Sequence, residues 1–359
     1  MRIAAQHLSI KKIATLIIFL CCYNNIHAQV YGCPDPAAEN YTDSVTINDG
    51  SCMYKNVSIT PALNADLSTT VNETSGLIWF NKKVWTHNDS KGEPALYSIN
   101  NTTGDTIKKV TISNATNKDW EDVTQDDKYI YIGDMGNNEN GNRTDLKIYR
   151  IKKSDVKKKT TITASVINYS YEDQTDFTAT GSNHTDFDCE ALIAYGDSLF
   201  LFSKDWVDNK TRLYKLPKLP GTYTATKIGE LNVEGLITGA EIVADKKVIV
   251  LTGYNAVLAP FIYLLYDFTD NHFFDANKRK IALNQSLTQL EGICSVNEKK
   301  FYISNERVQK IFTVPAKLQT INLGSFLNPY YNHLPAKKIE APVIAAKKSL
   351  QNSHVSAIR

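Results

Sequence analysis

The sequence predicts an all-β fold assembled from repeated four-stranded units, on three observations. Five segments repeat one template: a small or acidic residue, an apolar strand, a polar turn, a second apolar strand and a polar tip. They are "SGLIWFNKKVWTHND", "EDVTQDDKYIYIGD", "EALIAYGDSLFLFSKD", "GAEIVADKKVIVLTGY" and "EGICSVNEKKFYISNE", beginning at Ser75, Glu121, Glu190, Gly239 and Glu291. Their spacing is about 50 residues, the length of a repeated structural unit, with one insertion of about 20 residues at "YEDQTDFTATGSNHTD". Each template is followed by further segments, such as "PALYSIN", "DLKIYRIK", "TRLYKLP" and "FIYLLYDF". These alternate apolar with polar residues and are rich in Tyr, Ile and Val, the pattern of strands. No segment carries a long, capped helical period. A four-stranded sheet cannot bury both faces alone, but such sheets stacked radially close into a ring. The expected fold is therefore a β-propeller of five or six four-stranded blades, the count left open by the long second interval. "VSITPAL" near the start is expected to supply a strand to the last blade.

In chain order, residues 1–28 read as a signal peptide. Arg2, Lys11 and Lys12 form a positive region, "IATLIIFLCC" an apolar core, and Ala28 a small residue at the cleavage point. A membrane span takes about 20 apolar residues, and this run is shorter. Bulky Phe19 and Leu20 before Cys21 and Cys22 argue against a lipid anchor. The expected location is outside the cytosol: periplasm, cell surface or medium. Disulfides persist there, and Cys33, Cys52, Cys189 and Cys294 remain after cleavage. Cys33 and Cys52 bracket a segment with almost no apolar residues, so a disulfide between them is the expected way to order residues 29–55.

The stretch "GCPDPAAENYTDSVTINDGSCMY" resembles the short "GCTDP…NY…DDGSC" module of secreted proteins from Gram-negative bacteria. It carries Gly32, Cys33, Asp35, Pro36, Asn40, Tyr41, Asp49, Gly50, Ser51 and Cys52, with Pro34 where that family has Thr. The resemblance implies an extracellular or cell-surface setting and no activity. Asp35, Asp43 and Asp49 are candidate calcium ligands, since hard cations take clustered oxygens; a solvated, stapled loop is the simpler reading of them and the one preferred.

Forty Lys and Arg against 38 Asp and Glu leave a net charge of +2. No global field therefore points to nucleic acid or an anionic membrane. The basic run "KKSDVKKK" reads as a solvated loop between strands. Residues 56–334 are assigned to the propeller, and residues 335–359, without an aromatic residue, to a poorly ordered tail. The partner expected is an extracellular ligand or surface protein, and the chain a monomer with no transmembrane segment.

In a propeller the first strand of each blade lines the central channel. The repeat places Glu121, Glu190 and Glu291 at matching positions there, with Ser75 and Gly239 in the other two. Converging carboxylates repel and are costly to desolvate. A bound cation relieves both, and Ca2+ suits an all-oxygen, extracellular ligand set. Carboxylates that merely hydrogen-bond a neighbouring blade's amides account for the pattern too. Asp119 and Asp122 flank Glu121 and are expected to face elsewhere. The tips Asp89, Asp134, Asp205 and Glu306 read as ordinary turn residues.

The repeated "E-G/A-[LI]" followed by a hairpin resembles exported bacterial propellers related to the SdiA-regulated proteins and the esterase-like, phytase-like group. The likeness spans about residues 70–315, through short motifs, and only three of five repeats keep the acid. It implies a propeller with calcium in the channel. A calcium-dependent hydrolase of esters or phosphate esters is the alternative to a binding module, with His87 in "WTHND" as the candidate catalytic proton carrier and His184 as a second channel-mouth histidine. No nucleophile elbow or phosphate loop is present. Cys189 and Cys294 read as buried thiols.

Overall fold

The alternating pattern builds five antiparallel sheets. The computed structural model describes residues 29–309 and 313–334, so the signal-peptide and C-terminal tail readings fall outside the described residues. Blade 1 comprises Thr74–Phe80, Lys83–Asn88, Ala95–Ile99 and Thr106–Ile112. Blade 2 comprises Trp120–Gln125, Tyr129–Asp134, Lys147–Lys152 and Ser165–Tyr171, and blade 3 Cys189–Tyr195, Ser198–Ser203, Lys210–Pro217 and Gly221–Asn232. Blade 4 comprises Leu236–Val243, Val248–Tyr254, Pro260–Tyr266 and Asn277–Leu283. Blade 5 takes Leu290–Ser295, Lys300–Asn305 and Lys317–Asn322 from the end of the chain and Ala62–Asp66 from its beginning. The five first strands touch in the order 1–2–3–4–5–1, so the ring is closed. The blade count is five; the long second interval holds an insertion, not a sixth blade.

The closing strand lies slightly beyond the stretch expected to supply it. Ala62–Asp66 pairs antiparallel with blade 5, whereas Ser58–Ile59 pairs parallel with the outer strand of blade 4. "VQKIFTVP" supplies only the two-residue strands Val308–Gln309 and Thr313–Val314, and Lys317–Asn322 is the true third strand of its blade.

Because each strand alternates, every blade offers an apolar face to each neighbour, and five apolar wedges fill the ring. The wedge between blades 3 and 4 joins Phe200 and Phe202 to Ile249, Leu251 and Phe273. That between blades 4 and 5 joins Val250 and Leu264 to Ile293 and Phe301. Each fully buried side chain of this kind contributes about 1.5–3 kcal/mol. Cys189 and Cys294 are buried free thiols within two of these wedges, and burial pushes both upward in pKa.

Two helices correct the sequence reading. Within "KKSDVKKK", Lys153–Lys158 is helical, not a loop: Val156 is buried, and the Lys153 and Lys157 ammonium groups lie 5.4 and 5.3 Å over the Phe80 ring. Gly324–Tyr331 buries Phe326, Leu327 and Tyr330 against the wedge between blades 4 and 5. No described helix is long and apolar enough to cross a membrane.

The N-terminal segment carries the expected Cys33–Cys52 disulfide and is docked on blade 4. Asp35 is buried, and one of its oxygens accepts hydrogen bonds from Tyr54 Oη (2.7 Å) and from Tyr266 Oη of blade 4. Asn48 Nδ2 donates to Asp267 Oδ2 at 3.0 Å and to Asn277 Oδ1 at 2.8 Å. Asp35 thus serves as an acceptor between tyrosines. Among the described residues it does not gather with Asp43 and Asp49 into a three-ligand group.

Candidate functional site at the channel mouth

Every inner strand carries one residue more than the strand it pairs with, at the same height. In blades 3, 4 and 5 the extra residues are Glu190, Thr238 and Glu291. In blades 1 and 2 the extra residue falls within Ser75–Gly76 and Glu121–Asp122. Such bulges re-aim a side chain out of the alternating pattern. They make Ser75, Glu121, Glu190, Thr238 and Glu291 structurally equivalent, which moves the blade 4 position by one residue from Gly239. Gly239 instead packs so closely on the Glu291 carbonyl that a Cβ there would overlap it. The two hydroxyls stitch blades: Ser75 Oγ donates to the Glu121 carbonyl, and Thr238 Oγ1 to the Leu290 carbonyl. The three acids turn into a cavity of about 220 Å³.

A second ring lies above the first. The residues just past the pairing partners Asn88, Ser203, Gly253 and Asn305 are Asp89, Lys204, Tyr254 and Glu306, and all four line the same cavity. Two of the four acidic tips therefore face the channel. The other two sit one residue off register: Asp134 is paired with Arg143 Nη2 at 2.7 Å, and Asp205 lies 3.8 Å from Arg212 Nη1.

Asp119 and Asp188 complete the cluster. Each stands two residues before a channel glutamate, in "DWE" and "DCE", immediately ahead of the first residue of its inner strand. Asp119 joins Glu121 where the sequence reading sent it elsewhere. Carboxylate oxygens of Asp89, Asp119 and Glu121 lie within 4.8 Å of one another, as do those of Glu121, Asp188 and Glu190.

Only one of these triads contains its own cation. Lys204 Nζ sits 2.6 Å from Glu190 Oε2, with both side chains about 95% buried, and 4.7 Å and 5.2 Å over the Trp206 and Tyr254 rings. Asp188 accepts from Asn137 N at 2.6 Å and from Trp206 Nε1 at 2.8 Å. Glu121 (5% exposed) and Glu291 (8% exposed), by contrast, have side chains with no hydrogen bond or ion pair among the described residues. Burial, reinforced by Asp89 and Glu190, holds the Glu121 carboxyl well above its ordinary pKa. Burial likewise raises Glu190 and Glu291, which Lys204 only partly offsets. It raises Asp119 to about 6 and Asp89 to about 8, with neighbouring acids adding to the effect. Burial works against the Lys204 ammonium, but Glu190 and the surrounding groups outweigh it and keep the amine protonated above its usual range.

Below the rings the axis is blocked. Asp122, fully buried, accepts from Val123 N (2.8 Å), Leu192 N (2.8 Å) and Ala240 N (3.3 Å), tying blades 2, 3 and 4 together. Gly76 of blade 1 packs on it with no room for a Cβ. Asp122 is thus a structural knot, facing away from the cluster as expected.

His87 does not line the cavity. It is completely buried, with its ring edge-on to Trp120 at 5.7 Å and Nδ1 held 3.0 Å from the Asn88 carbonyl oxygen. Burial lowers its pKa to about 4, so it is neutral at physiological pH. His184 is exposed on the insertion, with Nδ1 3.1 Å from the Ser182 carbonyl oxygen.

The fold and the site define a five-bladed β-propeller with an acid-lined, one-ended channel. No protein-family model matches the chain, and no curated protein does. Among solved structures, the chain is similar to one in a nidogen/laminin complex, at 14% identity over 68% of this chain and 82% of that one, with a TM-score of 0.38. It is also similar to an exo-β-1,3-galactanase from Clostridium thermocellum, at 11% identity over 73% and 62%, with a TM-score of 0.49. A chain of a mitotic checkpoint complex shows 10% identity over 68% and 61%, with a TM-score of 0.32. The chain spans less than two thirds of the length of the latter two, and none of the three speaks to the chemistry of the channel. The propeller implied by the sequence resemblance is observed, while these comparisons lend no support to a particular family.

Proposed function

We propose that the protein is an exported β-propeller acting as a binding module, with Ca2+ held at the channel mouth by Asp89, Asp119 and Glu121. One observation carries this reading: Glu121 is an unpartnered, almost sealed carboxylate whose oxygen lies within 4.8 Å of oxygens from Asp89 and Asp119. Calcium–oxygen distances of about 2.3–2.6 Å set ligand oxygens up to about 5 Å apart, whereas Mg2+ at about 2.1 Å needs a tighter shell. The expected ligand set thus shifts from three equivalent glutamates to a set centred on blades 1 and 2, because Lys204 already neutralises Glu190. The charged-then-apolar N-terminus and the Cys33–Cys52 disulfide support export. A hydrolytic reading needs a proton carrier beside the cation, and His87 is packed against Trp120 instead.

The test is calcium titration calorimetry on the protein cleaved after Ala28, with elemental analysis of the same sample. One site is expected in the wild type and none in Glu121→Gln, while Glu291→Gln keeps it. A wild-type protein that purifies without calcium and shows no heat at millimolar Ca2+ removes the metal from this account.

A further inference from the structure

Beside the channel mouth runs a groove of about 960 Å³, lined among the described residues entirely by polar side chains. It is built by the tip of blade 1, the link into blade 2, the "GNNENGNR" loop and the insertion before blade 3. The last two are fixed to each other: Asn183 N donates to the Asn138 carbonyl at 2.8 Å, Thr180 N to the Asn140 carbonyl at 2.9 Å, and Gln174 Nε2 to the Gly141 carbonyl at 2.8 Å. Together they form a shaped wall. Asn138 and Asn183 line both the groove and the channel cavity, and Asp119 belongs to both the groove and the acidic triad. A ligand lying in the groove thus ends at the cation position.

The lining selects the chemistry of that ligand. The side-chain amides of Asn138, Asn140, Asn142 and Asn183 make no hydrogen bond within the described chain. An amide offers donors and an acceptor together, which matches the hydroxyl group, also both donor and acceptor. Among the described residues no apolar side chain lines the groove for an aliphatic or lipid ligand. Net charge is small as well: Arg143 and Lys118 are engaged by Asp134 and Asp145, leaving Lys91, Glu139 and the triad's Asp119 as the groove charges without an ion pair among the described residues. An uncharged, polyhydroxylated ligand fits this better than a polyanion. The volume lies within the range of small-ligand sites, about 300–1,000 Å³, enough for a few sugar rings. Ca2+ completes its shell with neutral oxygens, vicinal hydroxyls among them.

We infer that the groove binds a neutral glycan chain, whose terminal vicinal hydroxyls meet the channel-mouth cation. The glycan rests on the calcium reading above for its terminal contact, and on the asparagine wall for the rest. The test uses the full mature protein, titrated with a panel of neutral tetrasaccharides and, separately, uronate tetrasaccharides, each in calcium and in chelator. A neutral member is expected to bind with a Kd tighter than about 1 mM in calcium and to weaken roughly tenfold in chelator. The Asn140→Ala/Asn142→Ala variant, at groove residues outside the channel cavity, is expected to lose roughly tenfold in glycan affinity with calcium titration unchanged. If calcium binds but no neutral oligosaccharide does, or if only uronates do, the glycan inference is overturned and the calcium reading stands. If glycan binds equally with chelator, the terminal contact is wrong and the groove stands.

Discussion

Lys204→Met is the substitution that most directly probes the charge arrangement of the channel. The ammonium lies 2.6 Å from Glu190 Oε2 in a nearly sealed setting. At an effective dielectric constant of about 20, that contact is an attraction of about 6 kcal/mol. Removing it does not cost the full amount, because Glu190 takes up a proton instead, and breaking one side of a buried pair costs about 3–5 kcal/mol. For a domain of this size, that lowers Tm by roughly 6–15 °C. The pH dependence has a defined sign. Glu190, already raised by burial, rises further without Lys204, so the folded state binds its proton more tightly than the unfolded chain. Wild type and variant lose this contribution alike up to the wild-type folded value, so the variant's deficit grows only from there to its own, higher value. Calorimetric melts of wild type and variant from pH 5 to pH 8 measure it, with Glu190→Gln/Lys204→Met expected to recover most of the loss. A gap that does not widen with pH, or a double variant no better than the single, would refute the reasoning.

Two further outcomes follow from the same geometry. In chelator, wild-type Tm should fall between pH 5 and pH 8, because Asp119 at about 6 and Asp89 at about 8 hold protons that the unfolded chain releases near pH 4; a flat profile contradicts these shifts. Asp122→Ala should cost at least about 3 kcal/mol in urea unfolding, since it strips the acceptor from three buried N–H groups at about 1–3 kcal/mol each. A loss under about 1 kcal/mol would mean that the knot is not under load.

The propeller was legible because strand pairs repeat at nearly constant spacing and each carries its own alternation, as in "KYIYIGD" and "SLFLFSKD". Which acids share the channel was only half legible. Glu121, Glu190 and Glu291 announce themselves by repetition. The bulge beneath them does not, because an extra residue leaves no mark in the amino-acid order, and so blade 4 was misregistered at Gly239 where Thr238 stands. The shared D-x-E pattern marks Asp119 and Asp188 in the sequence, but both precede their strands, so strand alternation does not aim them. Lys204, the only lysine lining the cavity among the described residues, stands directly before the more noticeable Asp205 in "FSKDW". The burial of His87 was not legible for a different reason: a strand end and a loop tip look alike in sequence, and only packing against Trp120 tells them apart. The short helix Lys153–Lys158 owes its place to a single buried Val156 and the Phe80 face, a tertiary cause with no local signature.

The way the ring is fastened bears on how it comes into being. The strand Ala62–Asp66 finds its partner in Lys317–Asn322, and the side-chain contact between Asn64 and Thr320 joins residues 256 positions apart. Bringing together ends so remote costs about 5 kcal/mol in chain entropy, recovered only once the fifth sheet and its two flanking wedges form. During synthesis the first of the blade strands must therefore wait, edge exposed, until almost the whole polypeptide has been made. The disulfide-bearing segment that precedes it docks on blade 4, next to the seam, and so anchors the waiting end close to the place where it will be needed.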